Sequence, residues 1–221
     1  MIALDIHSDP ICPWCHIGKA KLDAALEIRP DHPFAITWRP FMLNPNMPPG
    51  GIERRAYLEA KFGSQKAVVD AYLPVQQAAE AINLPLDLGR IDRVPPTLDA
   101  HRLIHWAGLE GRQAAMVSAL FRACFSEGRD IGDADTLAEI AAAAGMDRDL
   151  TARLLASDAD RALIIEQDRE IRARGLRGVP AFIIAGQHVV TGAQETAFWL
   201  RLIDDLTEGL RADGDRSAGD A

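Results

Sequence analysis

Cysteine is scarce in this chain, with three in 221 residues. Cys124 has no Cys or His near it in sequence, so the four ligands of a structural zinc site cannot be assembled at a recognised spacing. His101 and His105 share one face of a predicted helix but lack a third ligand, and no metal is expected. Positive charge is also short. Lys and Arg number 24 against 32 Asp and Glu, for a net charge of −8. That balance argues against a nucleic-acid partner and against docking on an anionic membrane. No apolar run approaches the ~18 residues that a membrane span requires. The first residues, Met1 to Asp5, lead directly into a predicted strand, without a charged segment or cleavage site ahead of it. The expected setting is therefore the cytoplasm, where a closely spaced cysteine pair is catalytic rather than structural.

Such a pair is present as Cys12-Pro13-Trp14-Cys15. An alternating apolar run precedes it and a helical pattern follows, placing Cys12 at a helix N-terminus. Free N–H groups and the positive end of the helix dipole favour a thiolate there. Cys12 is the expected attacking sulfur, and Cys15, one turn on, the resolving one. A disulfide closing so short a loop would constrain little chain entropy, so a purely structural role is a poor explanation.

The helix should run to about Arg29, before Pro30, and a strand should follow over Phe34–Arg39. A Pro/Asn/Gly-rich loop, Pro40 to Gly51, marks a boundary. From Glu53 to about Arg174 the pattern is almost entirely helical. Ser64 caps one helix, Pro74 should kink or break it, and Asn83 to Pro96 reads as a loop. Thr97 caps a helix through Trp106, and Ser157 caps one over Asp158–Arg174. Strand patterns return at Pro180–Ile184 and His188–Thr191, followed by a helix over about Ala193–Leu206. The order is β-α-β, a helical block, then β-β-α. This places one discontinuous unit at residues 1–50 and 175–210, an inserted helical unit at 51–174, and a disordered tail at 211–221.

The segment Ser8 to Gly18 resembles the active-site stretch of the DsbA-like thioredoxin-fold oxidoreductases of the FrnE type. Further segments are similar in the same order: Trp38-Arg39-Pro40-Phe41, Thr97 through Arg102, Gly128 to Ile131, Gly178 to Phe182, and Thr191 to Gln194. The resemblance implies an α/β, thioredoxin-like fold with a large all-helical domain inserted after the first β-α-β unit. It also implies a cis Val179–Pro180 bond lying against the cysteines, with the Val179 backbone offered to an extended thiol-bearing substrate. The related 2-hydroxychromene-2-carboxylate isomerases and kappa-class glutathione transferases bind glutathione and carry serine where this chain has Cys12.

Three readings follow. The first is a thiol–disulfide oxidoreductase acting on a protein or small-molecule disulfide, recycled by a thiol reductant. The second is a glutathione-dependent isomerase or transferase, and the third a thiol-dependent chaperone or peptide-binding module. No tightly bound cofactor is expected, with glutathione as a candidate co-substrate. Around the cysteines, Pro13 and Trp14 shape the surface and tune the couple, and His16 is read as an exposed histidine able to steady a thiolate. His101 and Arg102 are candidates for the cleft between the two units, with a satisfied core position as the equal alternative. Arg172, Arg174 and Arg177 are candidates for an acidic group, against the alternative of a basic helix end. Asp9 is read as an acid/base group or a loop hydrogen-bonder, and Cys124 as a core residue.

Overall fold

The computed structural model describes residues 1–219, with side chains as far as Arg211. Strand β1 (Ile2–Ser8) leads through α1 (Pro13–Ile28) to β2 (Phe34–Pro40). Seven helices follow: α2 (Arg54–Phe62), α3 (Gln65–Glu80), α4 (Leu98–Leu109), α5 (Gln113–Phe125), α6 (Ala134–Ala143), α7 (Arg148–Leu155) and α8 (Arg161–Ala173). Two short strands, β3 (Ile52–Glu53) and β4 (Arg93–Val94), pair antiparallel among them. The chain then returns as β5 (Ala181–Ile184), β6 (His188–Thr191) and α9 (Thr196–Gly219).

The main sheet has the order β2-β1-β5-β6. β1 runs parallel to β2, as a crossover through α1 requires, and antiparallel to β5. The register sets Ile6 opposite Trp38 on one side and Phe182 on the other. Leu4, Ile6 and Phe182 are fully buried, and Phe182 meets Trp199 of α9 edge-on, with centroids 4.6 Å apart. On the outer edge, the Gln113 side chain bonds both the N–H and the C=O of Trp38, at 2.8 and 3.1 Å. The helical block thereby ties itself to β2 and satisfies edge groups that would otherwise be left open. Among the described residues no helix is long and apolar enough to cross a membrane.

Several element boundaries differ from the sequence reading. α3 runs unbroken through Pro74. Pro74 and Asp70 are both exposed, so the carbonyl freed by the missing N–H can turn to water. The stretch 83–96 is not wholly loop, since it carries a turn of 3₁₀ helix at Leu88–Arg90 and strand β4. α8 begins at Arg161 rather than Asp158, because the Ser157 hydroxyl bonds the Leu154 carbonyl and the Ala159 N–H in the preceding turn. α9 reaches Gly219, past the Arg211 at which a disordered tail was expected to begin. Of that tail, side chains from 212 onward and residues 220–221 lie outside what is described.

Candidate active site

Pro13 opens α1 and Cys12 is its N-cap, with extended φ and ψ of −89° and 111°. Proline suits the first helical position because its missing N–H would be unpaired anyway. The Cys12 carbonyl accepts from the N–H groups of Cys15 and His16. No side chain caps the helix, so its N-terminal N–H groups are directed at the sulfur's surroundings. Both cysteines are free thiols and buried. The Cys12 thiol lies 3.7 Å from the Val179 carbonyl, and the Val179–Pro180 bond is cis. Burial pushes the Cys15 thiol well up, and its bond with Cys12 adds to the effect. The two sulfurs thus differ: one sits at the helix cap under the Val179 loop, the other is held protonated behind it.

Gly18 explains how the loop comes so close. A Cβ at Gly18 would stand 3.1 Å from Pro180 Cγ, tighter than ordinary van der Waals contact. Beyond the loop lies a groove of about 890 Å³, lined by Val179, Pro180, His7, Arg39, Arg174 and Arg177 among others. Arg174 and Arg177 are exposed. Arg172 points elsewhere, pairing with Asp168 at 2.8 Å, bonding the Met42 carbonyl and lying 3.9 Å over the Phe41 ring.

The remaining candidates fall in different places. Trp14 is half-buried and packs against the core, and Pro13 is half-buried beside it. His16 lies against α5, stacked on Phe125 with centroids 5.5 Å apart and tilted against Phe121. Burial lowers its pKa to about 4, so at neutral pH it brings no positive charge to a thiolate. Arg102 is wholly buried and not in a cleft. It bonds the carbonyls of Leu154, Leu155, Ser157 and Ala159 and the Asp99 carboxylate, and stacks on Trp106. It closes the end of α7, whose last carbonyls have no intrahelical partner. Cys124 is buried among apolar residues, and burial pushes its thiol up to about 12.

Asp9 is enclosed by groups that lie far from it along the chain. Its carboxylate has no exposed surface and accepts from the backbone N–H groups of Leu43, at 2.6 Å, and Ile11, at 3.3 Å. Thr97, read from the sequence as a helix cap, makes no side-chain cap bond among the described residues, and its hydroxyl instead favours the charged form of Asp9. His101 Nε2 lies 4.0 Å from the same carboxylate, buried and without a hydrogen-bond partner among the described residues. Burial raises the Asp9 pKa to about 7 despite these bonds, and the same burial lowers that of His101 to about 4.

Residues 3–204 match the DSBA-like thioredoxin domain. The chain is 30% identical to a probable DsbA oxidoreductase from Streptomyces coelicolor, with a TM-score of 0.82 over 93% of this chain and 89% of that one. It is 21% identical to the cytosolic disulfide reductase DsbM of Pseudomonas aeruginosa, solved with GSH, at a TM-score of 0.63 over 96% and 98% of the two chains. A 2-hydroxychromene-2-carboxylate isomerase is 19% identical, at 0.67 over 96% and 98%. At these last two identities the likeness is one of fold.

Proposed function

The chain belongs to the DSBA-like thioredoxin-domain family, with the thioredoxin-like fold and helical insertion of that family, and from that premise we propose that it cycles Cys12 and Cys15 between dithiol and disulfide to exchange disulfides with its substrates. The observation that carries this reading is the asymmetry of the two thiols. Cys12 is the helix cap beside the Val179 carbonyl, while burial keeps Cys15 protonated until a mixed disulfide forms. In reduction, the Cys12 thiolate attacks a substrate disulfide, one substrate sulfur leaves, and Cys15 then displaces the other. Oxidation of a substrate dithiol is the same sequence reversed.

The backbone at Val179 offers an extended substrate main-chain bonds, and the groove alongside has room for the chain flanking its cysteine. Arg174 and Arg177 make that groove suit a carboxylate-bearing thiol, and glutathione, the ligand in the DsbM structure, has that chemistry. Glutathione is accordingly the small thiol we assign as recycling reductant or co-substrate. The test is substrate trapping. Cys15→Ser should accumulate Cys12-linked mixed disulfides, Cys12→Ser should form none, and either change should abolish turnover of a protein disulfide. Turnover surviving in Cys15→Ser would favour glutathione-dependent chemistry at Cys12 alone. Holdase activity that persists without both cysteines would favour a peptide-binding module.

A further inference from the structure

A second recess meets the dithiol loop from the side of the helical insertion. It is a pocket of about 80 Å³ bordered by Ile11 and Pro13, the residues on either side of Cys12. Consecutive Cα atoms stand about 3.8 Å apart, so the pocket opens within one residue of the attacking cysteine. Three cations line it and no carboxylate does, in a chain whose net charge is −8. They are Arg54 and Lys61 of α2 and Arg93 of β4. The nearby cations Arg55, Lys66 and Arg90 each pair with a carboxylate, at 2.9, 2.7 and 3.8 Å. Among the described residues, the three in the pocket are instead held by uncharged groups. Lys61 donates to the Tyr57 hydroxyl at 3.0 Å, and that hydroxyl donates to Asn44 at 3.0 Å. The Arg54 guanidinium lies 5.4 Å from the centre of the Tyr72 ring, and Arg93 bonds the Gly50 and Gly51 carbonyls. Glu53, next to Arg54 in sequence, spends both carboxylate oxygens on the N–H groups of Arg55 and Ala56, capping α2. Much of the remaining wall is apolar, with Leu43, Leu88 and Phe125.

We propose that this pocket takes an acidic side chain, Asp or Glu, carried by a protein substrate close in sequence to its reactive cysteine. This rests on the reading above that Cys12 attacks substrate disulfides, and it names the substrates that Cys12 meets fastest. Size selects the ligand. A drug-sized molecule takes about 300 Å³ or more, and one water's share of liquid volume is about 30 Å³. The pocket therefore holds one short side chain and not glutathione. Charge selects the group. A carboxylate placed among fixed cations against an apolar wall gains charge-assisted hydrogen bonds, an amide of the same shape gains weaker ones, and an ammonium is repelled. The pocket shares no lining residue with the groove beyond Val179, so the two recesses read separate parts of a substrate. An extended chain advances about 3.3 Å per residue, which puts the acid within about three residues of the substrate cysteine.

The test uses the full chain carrying Cys15→Ser, so that capture stops at the Cys12 mixed disulfide. Short peptides present one cysteine as a thiopyridyl disulfide, with Glu, Gln or Lys placed one to three residues to either side. The Cys12 thiolate attacks the peptide sulfur, thiopyridone leaves with the bonding pair, and its absorbance gives the capture rate. At one or more positions Glu should be captured about tenfold faster than Gln, and Lys more slowly than either. Arg54→Gln should bring the Glu-to-Gln ratio down towards one, and Arg54→Glu combined with Lys61→Glu should turn the preference over to Lys. Lys61→Glu alone, at an exposed residue, should lower the ratio severalfold, and it keeps the idea testable should changes at half-buried Arg54 not fold. Equal capture of Glu and Gln at every position overturns the proposal. So does a preference that Arg54→Gln and Lys61→Glu leave untouched, and its removal by Arg174→Gln would assign the acid to the groove instead. Capture of no peptide at all sinks disulfide exchange and the proposal with it. A protein with Cys15 intact that captures peptides but never releases them sinks the dithiol reading alone.

Discussion

Replacing Arg102 with methionine separates a structural role from one in substrate binding. Methionine retains the apolar stem, so what is lost is the guanidinium and its bonds to four carbonyls around the end of α7, the Leu154, Leu155, Ser157 and Ala159 oxygens. The Asp99 carboxylate loses one partner but keeps Arg161 at 3.0 Å, so no buried charge is stranded. The carbonyls are the larger loss. Leu155 O is bonded in a fully buried setting, while the other three bonds are partly buried and water can replace some of them. The Leu154 carbonyl keeps its bonds from the Ser157 hydroxyl and N–H, so the loss is one full and two partial. A buried polar group left unpaired costs about 1–3 kcal/mol, which gives about 2–4 kcal/mol in all. For a chain of this size that lowers Tm by about 4–16 °C. The assay is thermal and denaturant unfolding of Arg102→Met beside disulfide-exchange activity measured well below its Tm. Wild-type stability combined with lost activity would refute the reasoning and return Arg102 to the substrate cleft.

Gly18→Val places a side chain against Pro180 and the Ala193 backbone. It should cost about 1–3 kcal/mol in unfolding experiments and slow substrate exchange by displacing the Val179 loop. Buried histidines should shape acid stability. His16 and His101 have folded pKa values of about 4 against 6.5 unfolded, so between those pH values the unfolded chain binds more protons and stability falls as pH drops. Asp9 works in the opposite sense from 3.8 to about 7, since there the folded state holds the extra proton. His7, whose pKa burial also lowers, acts in the same direction as the other two histidines, so the histidines outweigh the one carboxyl and leave a net fall in stability on acidification. In His16→Phe, urea unfolding as a function of pH should show a shallower slope between about pH 4 and 6.5, and a wild-type slope would refute the assignment of the shift to His16. Pro74→Ala restores a backbone N–H in the middle of α3 and should raise helix stability, read as slower amide exchange in residues 70–78. Exchange that is unchanged or faster would contradict a continuous helix.

Local signals made much of the fold legible. The alternating strand before Cys12, the proline after it and the return of β pattern at Pro180 are all written over a few adjacent residues, so β1, α1, β5 and β6 could be placed from the chain alone. Helix ends are equally local, with Gly63 and Gly175 at positive φ just past α2 and α8. Asp9 was legible as an acid/base group or a loop hydrogen-bonder but not as an enclosed carboxylate, because its enclosure comes from Leu43, Thr97, His101 and Asp168, far along the chain. Thr97 looked like a helix cap by the same local logic, and only tertiary contact reveals that its hydroxyl is used elsewhere. Arg102 and His101 are neighbours on one helix, yet one closes α7 and the other lies 4.0 Å from the Asp9 carboxylate. Successive helical residues point about 100° apart, so adjacency in sequence did not imply a shared role. His16 was misjudged as exposed because nothing near it announces Phe121 and Phe125.

The central claim is that Cys12 and Cys15 form one redox couple, and the most direct measurement is its equilibrium with a glutathione redox buffer, with thiols trapped by alkylation and counted by mass. The account predicts a single two-electron transition to an internal disulfide, lost in Cys15→Ser, with a midpoint that places the protein as reductase or oxidase. Only a glutathione adduct on Cys12, with no internal disulfide at any buffer ratio, would contradict it.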